Sequence, residues 1–261
     1  NETGSGVANY SESHPTIDGC IFSGNTSGKS GAGIYNDNGC SPTVLNSIFA
    51  GNNSGERGGA YNSNDTHDVD IISCVFTGNY GPQGGAIHDH KDATTSVINC
   101  TMTANSSSDG GAIFIRDGST LQIVNSILWA NSPDEISSDG GFYTVTYTDI
   151  TGGMAGDGNI PDDPLFDTTL TDAGTWNTVL YDDATYKTAM YDSSASWTPG
   201  DLIGLFVRPN TGEYQRLWIA GNTTNTLYVW GDMESLADKG IAFEIYDLHL
   251  GAGSPCIDAA N

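Results

Sequence analysis

Positive charge is scarce in this chain. Eight Lys and Arg face 32 Asp and Glu, a net charge of -24 over 261 residues. Such a surface repels phosphate, which argues against nucleic acid and against an anionic membrane as partners. Cations are the natural counterions, so calcium is a candidate ligand, although the same charge also keeps an extracellular protein in solution. Long apolar runs are missing too, and no stretch is long enough to span a membrane as a helix. No signal peptide is visible, and the first residue is Asn1 rather than Met, which reads as a mature or trimmed product. Lys and long aliphatic runs are too few for a helical bundle. Turn formers are abundant instead: 34 Gly, with many Asn, Ser, Thr and Asp. That is the composition of many short strands.

The strands repeat. Cys20-Ile21-Phe22-Ser23-Gly24-Asn25 is followed by Ser47-Ile48-Phe49-Ala50-Gly51-Asn52, Cys74-Val75-Phe76-Thr77-Gly78-Asn79, Cys100-Thr101-Met102-Thr103-Ala104-Asn105 and Ser126-Ile127-Leu128-Trp129-Ala130-Asn131. The closing Asn recurs at steps of 27, 27, 26 and 26, always three residues after a large apolar side chain. Ile17, Val44, Ile71, Val97 and Ile123 keep the same step, as do glycine-led segments such as Gly84-Gly85-Ala86-Ile87 and Gly110-Gly111-Ala112-Ile113. A period of about 26 residues with three short apolar clusters fits one coil of a β-solenoid, whose apolar face is buried only by stacking on the next coil. Five or six coils stacked about 4.8 Å apart give a rod on the order of 25–30 Å long.

Stacking turns each series into a column. The aliphatic and Phe series fill the interior. Asn25, Asn52, Asn79, Asn105 and Asn131 form an amide ladder at a bend. If Ile17, Cys20 and Phe22 all point inward, a corner lies between Ile17 and Cys20. Ile21, Ile48, Val75 and Ile127, with Thr101, then form an outward stripe. That stripe is either ordinary β-branched surface or an interface. Cys20, Cys74 and Cys100 share one inward column with Ser47 and Ser126 and read as structural; Cys40 falls in a loop and Cys256 in the closing segment.

These repeats resemble those of polymorphic outer-membrane proteins and related bacterial β-helix proteins, over roughly residues 10–150. Asp163-Pro164-Leu165-Phe166 and Ser254-Pro255-Cys256-Ile257-Asp258 resemble the end of the choice-of-anchor type of secreted β-helix proteins. The resemblance implies an all-β, right-handed parallel β-helix with an extracellular or cell-surface location. It implies no particular reaction, and the wider pectate-lyase-like group with the same fold contains many enzymes.

The period lapses over residues 170–245, where Trp176, Trp197, Trp218 and Trp230 gather. Thr178–Tyr181, Leu202–Val207, Tyr214–Ile219 and Thr226–Trp230 read as strands between turn signals. The expected division is a β-helix over 1–168, a small inserted antiparallel barrel or sandwich over 169–245, and a closing segment over 246–261. The tryptophans read as the module's core, or as platforms for sugar rings. The module is also a candidate cover for the outward stripe.

Candidate chemistry is sparse. Asp157, Asn159, Asp162 and Asp163 on a Gly-rich loop are the best calcium candidates, without the spacing of an EF-hand loop. His88 and His90, with His67 one coil earlier, are a candidate transition-metal set, or else a solvated corner. Arg57 and Arg116 stand two coils apart, and no Ser-His-Asp set or phosphate-binding loop is evident. The reading favours a structural or adhesive surface protein over an enzyme. Residues 1–10 look like a thin cap, which would allow end-to-end self-association into a filament. The alternative is a carbohydrate-binding or lyase-like β-helix protein holding a surface glycan, if Asp65, Asp89 and Asp117 converge on one flank.

Overall fold

The structure, a computed structural model, describes residue 4, residues 6–167, residue 169 and residues 171–256. Residue 168 at the expected domain boundary, most of the N-terminal cap before residue 6, and Ile257 to Asn261 lie outside the described residues.

The period-2 pattern and the 26-residue step together dictate three strands per coil, each stacked on its counterpart. Three parallel sheets of six strands result. The first runs from Val7–Asn9 through Ile34–Asp37, Tyr61–Asn64, Ile87–His90 and Ile113–Arg116 to Ile136–Asp139. The second runs from Thr16–Asp18 to Phe142–Thr146, and the third from Ile21–Ser23 to Asp149–Ile150. This is a right-handed parallel β-helix of about six coils. Val44 pairs in register with Ile17 and Ile71, and Val97 with Ile71 and Ile123. The rings of Phe22, Phe49 and Phe76 stack along the axis, with centroids 4.8 and 4.5 Å apart. Stacked apolar side chains fill the interior, which is how a narrow coil buries a continuous core.

The corner between the second and third sheets is a column of left-handed residues: Gly19, Asn46, Ser73, Asn99, Asn125 and Tyr147 all have positive φ. It separates Ile17 from Cys20, so both side chains can face the same interior. Short polar residues tolerate this conformation, which explains the run of Asn and Ser there. Cys74 and Cys100 are buried at this corner, whereas Cys20, on the first coil, is exposed.

Residues 172–246 form one antiparallel sheet of seven strands. In spatial order they are Asp172–Thr175, Ala242–Tyr246, Phe206–Arg208, Leu217–Asn222, Thr226–Trp230, Lys187–Tyr191 and Thr178–Asp182. The sheet curls around its own core, which includes Trp176, Trp197, Val207, Ile219, Val229 and Phe243. Trp176 stacks on Phe243 at 3.8 Å, and its Nε1 donates to the Pro209 carbonyl at 2.8 Å. The chain then returns to the rod, where Phe166 bridges Leu250.

The module rests on the corner that follows the third sheet. Gln215 Nε2 donates to the Gly51 carbonyl at 3.2 Å, and the Trp218 N–H to Ser23 Oγ at 3.4 Å. A Cβ on Gly51 would stand 2.6 Å from the Arg216 carbonyl oxygen, and one on Gly78 only 2.2 Å from the Arg216 nitrogen. Glycine is therefore required where the Arg216 backbone lies against the coil. The Arg216 guanidinium lies 3.9 Å over the Tyr246 ring.

Candidate functional site

Two hydrogen-bonded columns run through the rod. In the first, Asn25, Asn52, Asn79, Asn105 and Asn131 stand one per coil. Each of the first four donates through Nδ2 to Oδ1 of the next, at 2.8–2.9 Å. The backbone N–H of the same residue donates to the same oxygen. The remaining Nδ2 hydrogen of the later members returns to a carbonyl of the preceding coil, such as Phe22 for Asn52. Asn131 has no further Asn to pair with. Glu135 takes that place: Oε2 accepts from Nδ2 at 2.5 Å and Oε1 from the backbone N–H at 3.2 Å.

The second column stands at the other end of the third sheet. The Cys74 N–H donates to Cys100 Sγ, that of Cys100 to Ser126 Oγ, and that of Ser126 to Thr148 Oγ1. Asn159 closes it, with Oδ1 accepting from the Thr148 N–H at 3.1 Å and Nδ2 donating to the Val145 and Met154 carbonyls. Asn159 therefore has its amide engaged in the cap. Asp157, Asp162 and Asp163 are exposed, and Asp163 accepts from the Leu165 N–H two residues on. A cation on this loop would meet these carboxylates without the Asn159 amide. Among the described residues, no three His, Cys, Asp or Glu side chains are grouped to hold a metal ion.

The outer face of the first sheet carries a polar chain across four coils. Tyr35 Oη donates to Asp37 at 3.1 Å, and Asn64 Nδ2 to Asp37 at 2.6 Å. Asn64 Oδ1 then faces His90 Nδ1 at 2.8 Å, and His90 Nε2 lies 2.8 Å from Asp117, which also holds Arg116 Nε at 3.0 Å. Burial and the charge of Arg57 lower the pKa of His90, against the pull of Asp117. Asp37, Asn64 and His90 recur at the coil step, a signal in the sequence that could have revealed this chain.

His88 is also on the outer side, yet it is fully buried and stacks 5.7 Å from Phe114. Neither of its nitrogens has a hydrogen-bond partner among the described residues. Burial, then the charges of Arg57, His90 and Arg116, hold its pKa well down. The charges of Arg57 and Arg116 oppose a metal ion beside it, and His67 is exposed in its loop. Asp89 follows the strand alternation in the opposite sense and points into the coil, fully buried. Burial pushes its pKa up to about 7, moderated by the nearby hydroxyls of Thr95 and Ser63. Asp65 and Asp117 lie in exposed turns, so Asp89 does not join them on a flank.

The outward stripe is uneven. Ile21 is 43% exposed, whereas Ile48, Val75 and Ile127 are half-buried. Near its far end, Thr101 and Ile127 help line a 240 Å³ cavity together with Ile160, Leu250 and Cys256 of the segments that close the rod. Cys256 Sγ donates to the buried Asp149 at 2.9 Å, a partner with no sequence signal. Cys40, in its turn, is fully buried and donates to the Asp37 carbonyl. Of the four module tryptophans, Trp176 and Trp197 belong to the core, while Trp218 is half-buried and Trp230 is 42% exposed.

Coil, columns and caps together define a right-handed parallel β-helix protein. The family model for the right handed beta helix region matches residues 1–152, more than half of the chain, and the chain belongs to that family. No curated protein and no solved structure matches the chain. Membership fits a surface or polysaccharide-related β-helix protein. Among the described residues, no helix is long and apolar enough to cross a membrane.

Proposed function

We propose that the protein is an extracellular structural or adhesive surface protein that self-associates through the ends of its rod. The observation that supports this reading is the last strand of the second sheet, Phe142–Thr146. It pairs with Thr120–Val124 on one side and ends the sheet on the other. Its side chains carry no charge, Phe142 is 69% exposed, and Tyr143 and the adjacent Tyr147 are exposed as well. Asn159 Nδ2 holds the Val145 carbonyl and the Asp157 carbonyl holds the Tyr147 N–H, which confines the open part of this edge to residues 142–144. Soluble proteins protect such edges with charge, proline or a covering segment, and an open aromatic edge invites another strand. The same sheet ends at the opposite pole on Thr16–Asp18. A second copy joining these two edges makes a heterologous contact, which propagates into a filament. The third sheet is less available at the Phe142 pole, because Ile160 already bridges Asp149 there. The contact therefore runs along the second sheet.

Negative-stain electron microscopy and light scattering over a concentration series test this reading. Wild type is expected to form end-to-end particles, and the Phe142→Asp/Tyr143→Lys double variant to stay monomeric. A wild type that stays monomeric throughout the series would overturn it. The carbohydrate-active alternative on the rod flank has less to support it, since Asp89 is buried in the coil and leaves Asp65 and Asp117 without it.

A further inference from the structure

The module's sheet has two faces with different chemistry. Leu217, Ile219, Leu227, Val229 and Met190 point into the core. The alternate residues of the same strands point outward: Trp218, Tyr228, Trp230 and Tyr191. Antiparallel pairing sets their layout. Trp218 and Trp230 flank the Ile219–Val229 pair, Tyr228 stands opposite Ala189, and Ala189 stands opposite Leu180 on the edge strand. Leu180 is 60% exposed. Small residues, Ala189, Ala220 and Gly221, lie between the rings, so the surface is low and broad rather than a deep pocket.

We propose that this outer face binds a neutral polysaccharide. The inference deepens the adhesive reading by naming its partner, and it is separable from end-to-end assembly. Three observations select a sugar chain. Aromatic side chains spread over an open sheet face suit the C–H face of a pyranose ring, whose apolar patch matches their quadrupole. The hydroxyls of Tyr191 and Tyr228 make no hydrogen bond to the described residues, which leaves them available to sugar hydroxyls. Charge then excludes the acidic polymers. The chain carries -24 overall, and the cations on this side of the sheet are engaged: Lys187 is held 4.3 Å over the Trp230 ring, Arg208 lies 3.5 Å from Glu244, and Arg216 lies over the Tyr246 ring. A polyuronate would meet net repulsion, whereas a neutral glycan would meet none.

Affinity electrophoresis and calorimetry with the full chain test this, using hydroxyethyl cellulose and galactomannan as neutral probes and polygalacturonate as the acidic one. At least one neutral polymer is expected to retard the protein, and polygalacturonate is not. Trp230→Ala, on an exposed side chain, is expected to weaken binding about tenfold or more, as loss of an aromatic anchor does. Tyr228→Phe keeps the ring and loses only the hydroxyl, so its loss should be smaller. Phe142→Asp/Tyr143→Lys should bind the glycan as wild type does, which separates this inference from the fate of the assembly reading. Failure of both neutral polymers to bind, preference for polygalacturonate, or unchanged binding in a folded Trp230→Ala/Tyr228→Ala variant would overturn it.

Discussion

Glu135 receives the two N–H groups of Asn131 that every earlier Asn of the column gives to the amide of the next coil. One carboxylate thus imitates a coil that is not there. Its two oxygens accept both donors, and 6% exposure leaves water little part in the exchange.

Glu135→Gln keeps the shape but replaces one of the two acceptor oxygens with an NH2 group that faces an Asn131 N–H. Removing one partner from a buried hydrogen-bonded group costs about 1–3 kcal/mol. The variant should therefore unfold at lower temperature, with the loss beginning in the last coils. Hydrogen exchange at Asn131 and Asn105 reads this directly. Protection equal to wild type at both amides would show that the column needs no terminator.

His88 and Asp89 tilt stability in opposite directions with pH. Asp89 has its folded pKa raised from the usual 3.8 to about 7. The folded state therefore holds this proton more tightly than the unfolded chain. Its stabilising contribution is complete below the unfolded value and is lost as pH rises through about 7. The ceiling is about 4 kcal/mol for a shift of this size. His88 has its folded pKa lowered, so its contribution is present above the unfolded value of 6.5 and is lost as pH falls through the folded one. Asp89→Asn should match wild type near pH 4 and become progressively more stable than it toward pH 7, measured by denaturant unfolding at each pH. His88→Phe, which keeps the stack on Phe114, should gain at the acid end instead. Parallel pH profiles for Asp89→Asn and wild type would count against a buried acid at this position.

The rod was legible because a solenoid writes its geometry into the period. The Asn step, the Phe series and the corner between Ile17 and Cys20 all follow from residues that must repeat. Asp89 is legible as well, since Ile87 faces inward and the alternation puts Asp89 inward two residues later, away from the flank on which Asp65 and Asp117 lie. The module lacks a period, and there tertiary context decides. Thr226–Trp230 appears with the expected bounds. The strand expected from Tyr214 begins at Leu217, because Gln215 and Arg216 lie against the rod. Leu202 was read as strand, but Asn222 Oδ1 draws the N–H groups of Gly200 and Leu202 into a turn. Lys187–Tyr191 and Ala242–Tyr246 went unread, since Lys and Ala weaken the strand signal at their starts. Glu135 and Asn159 had no counterpart in the repeat and could not be found by it.

The column Gly24, Gly51, Gly78, Ala104, Ala130 marks where the module sits. All five have positive φ, so the corner accepts a methyl group at the two alanines without changing conformation. The first three remain glycine where the Gln215–Leu217 segment or Met233 presses on the coil. Beyond them a gap opens, lined by Ala104, Ala130, Tyr214 and Arg216. Gly78→Ala should therefore cost more than the roughly 1 kcal/mol expected for alanine in this conformation. The Arg216 backbone has to retreat from the coil, so the excess should appear as loss of docking. Calorimetry is expected to split one thermal transition into two, and protease to cut the chain earlier. Ala130→Gly, in the open part of the column, should leave both readouts close to wild type. A single wild-type transition in Gly78→Ala would mean that the module does not depend on this corner.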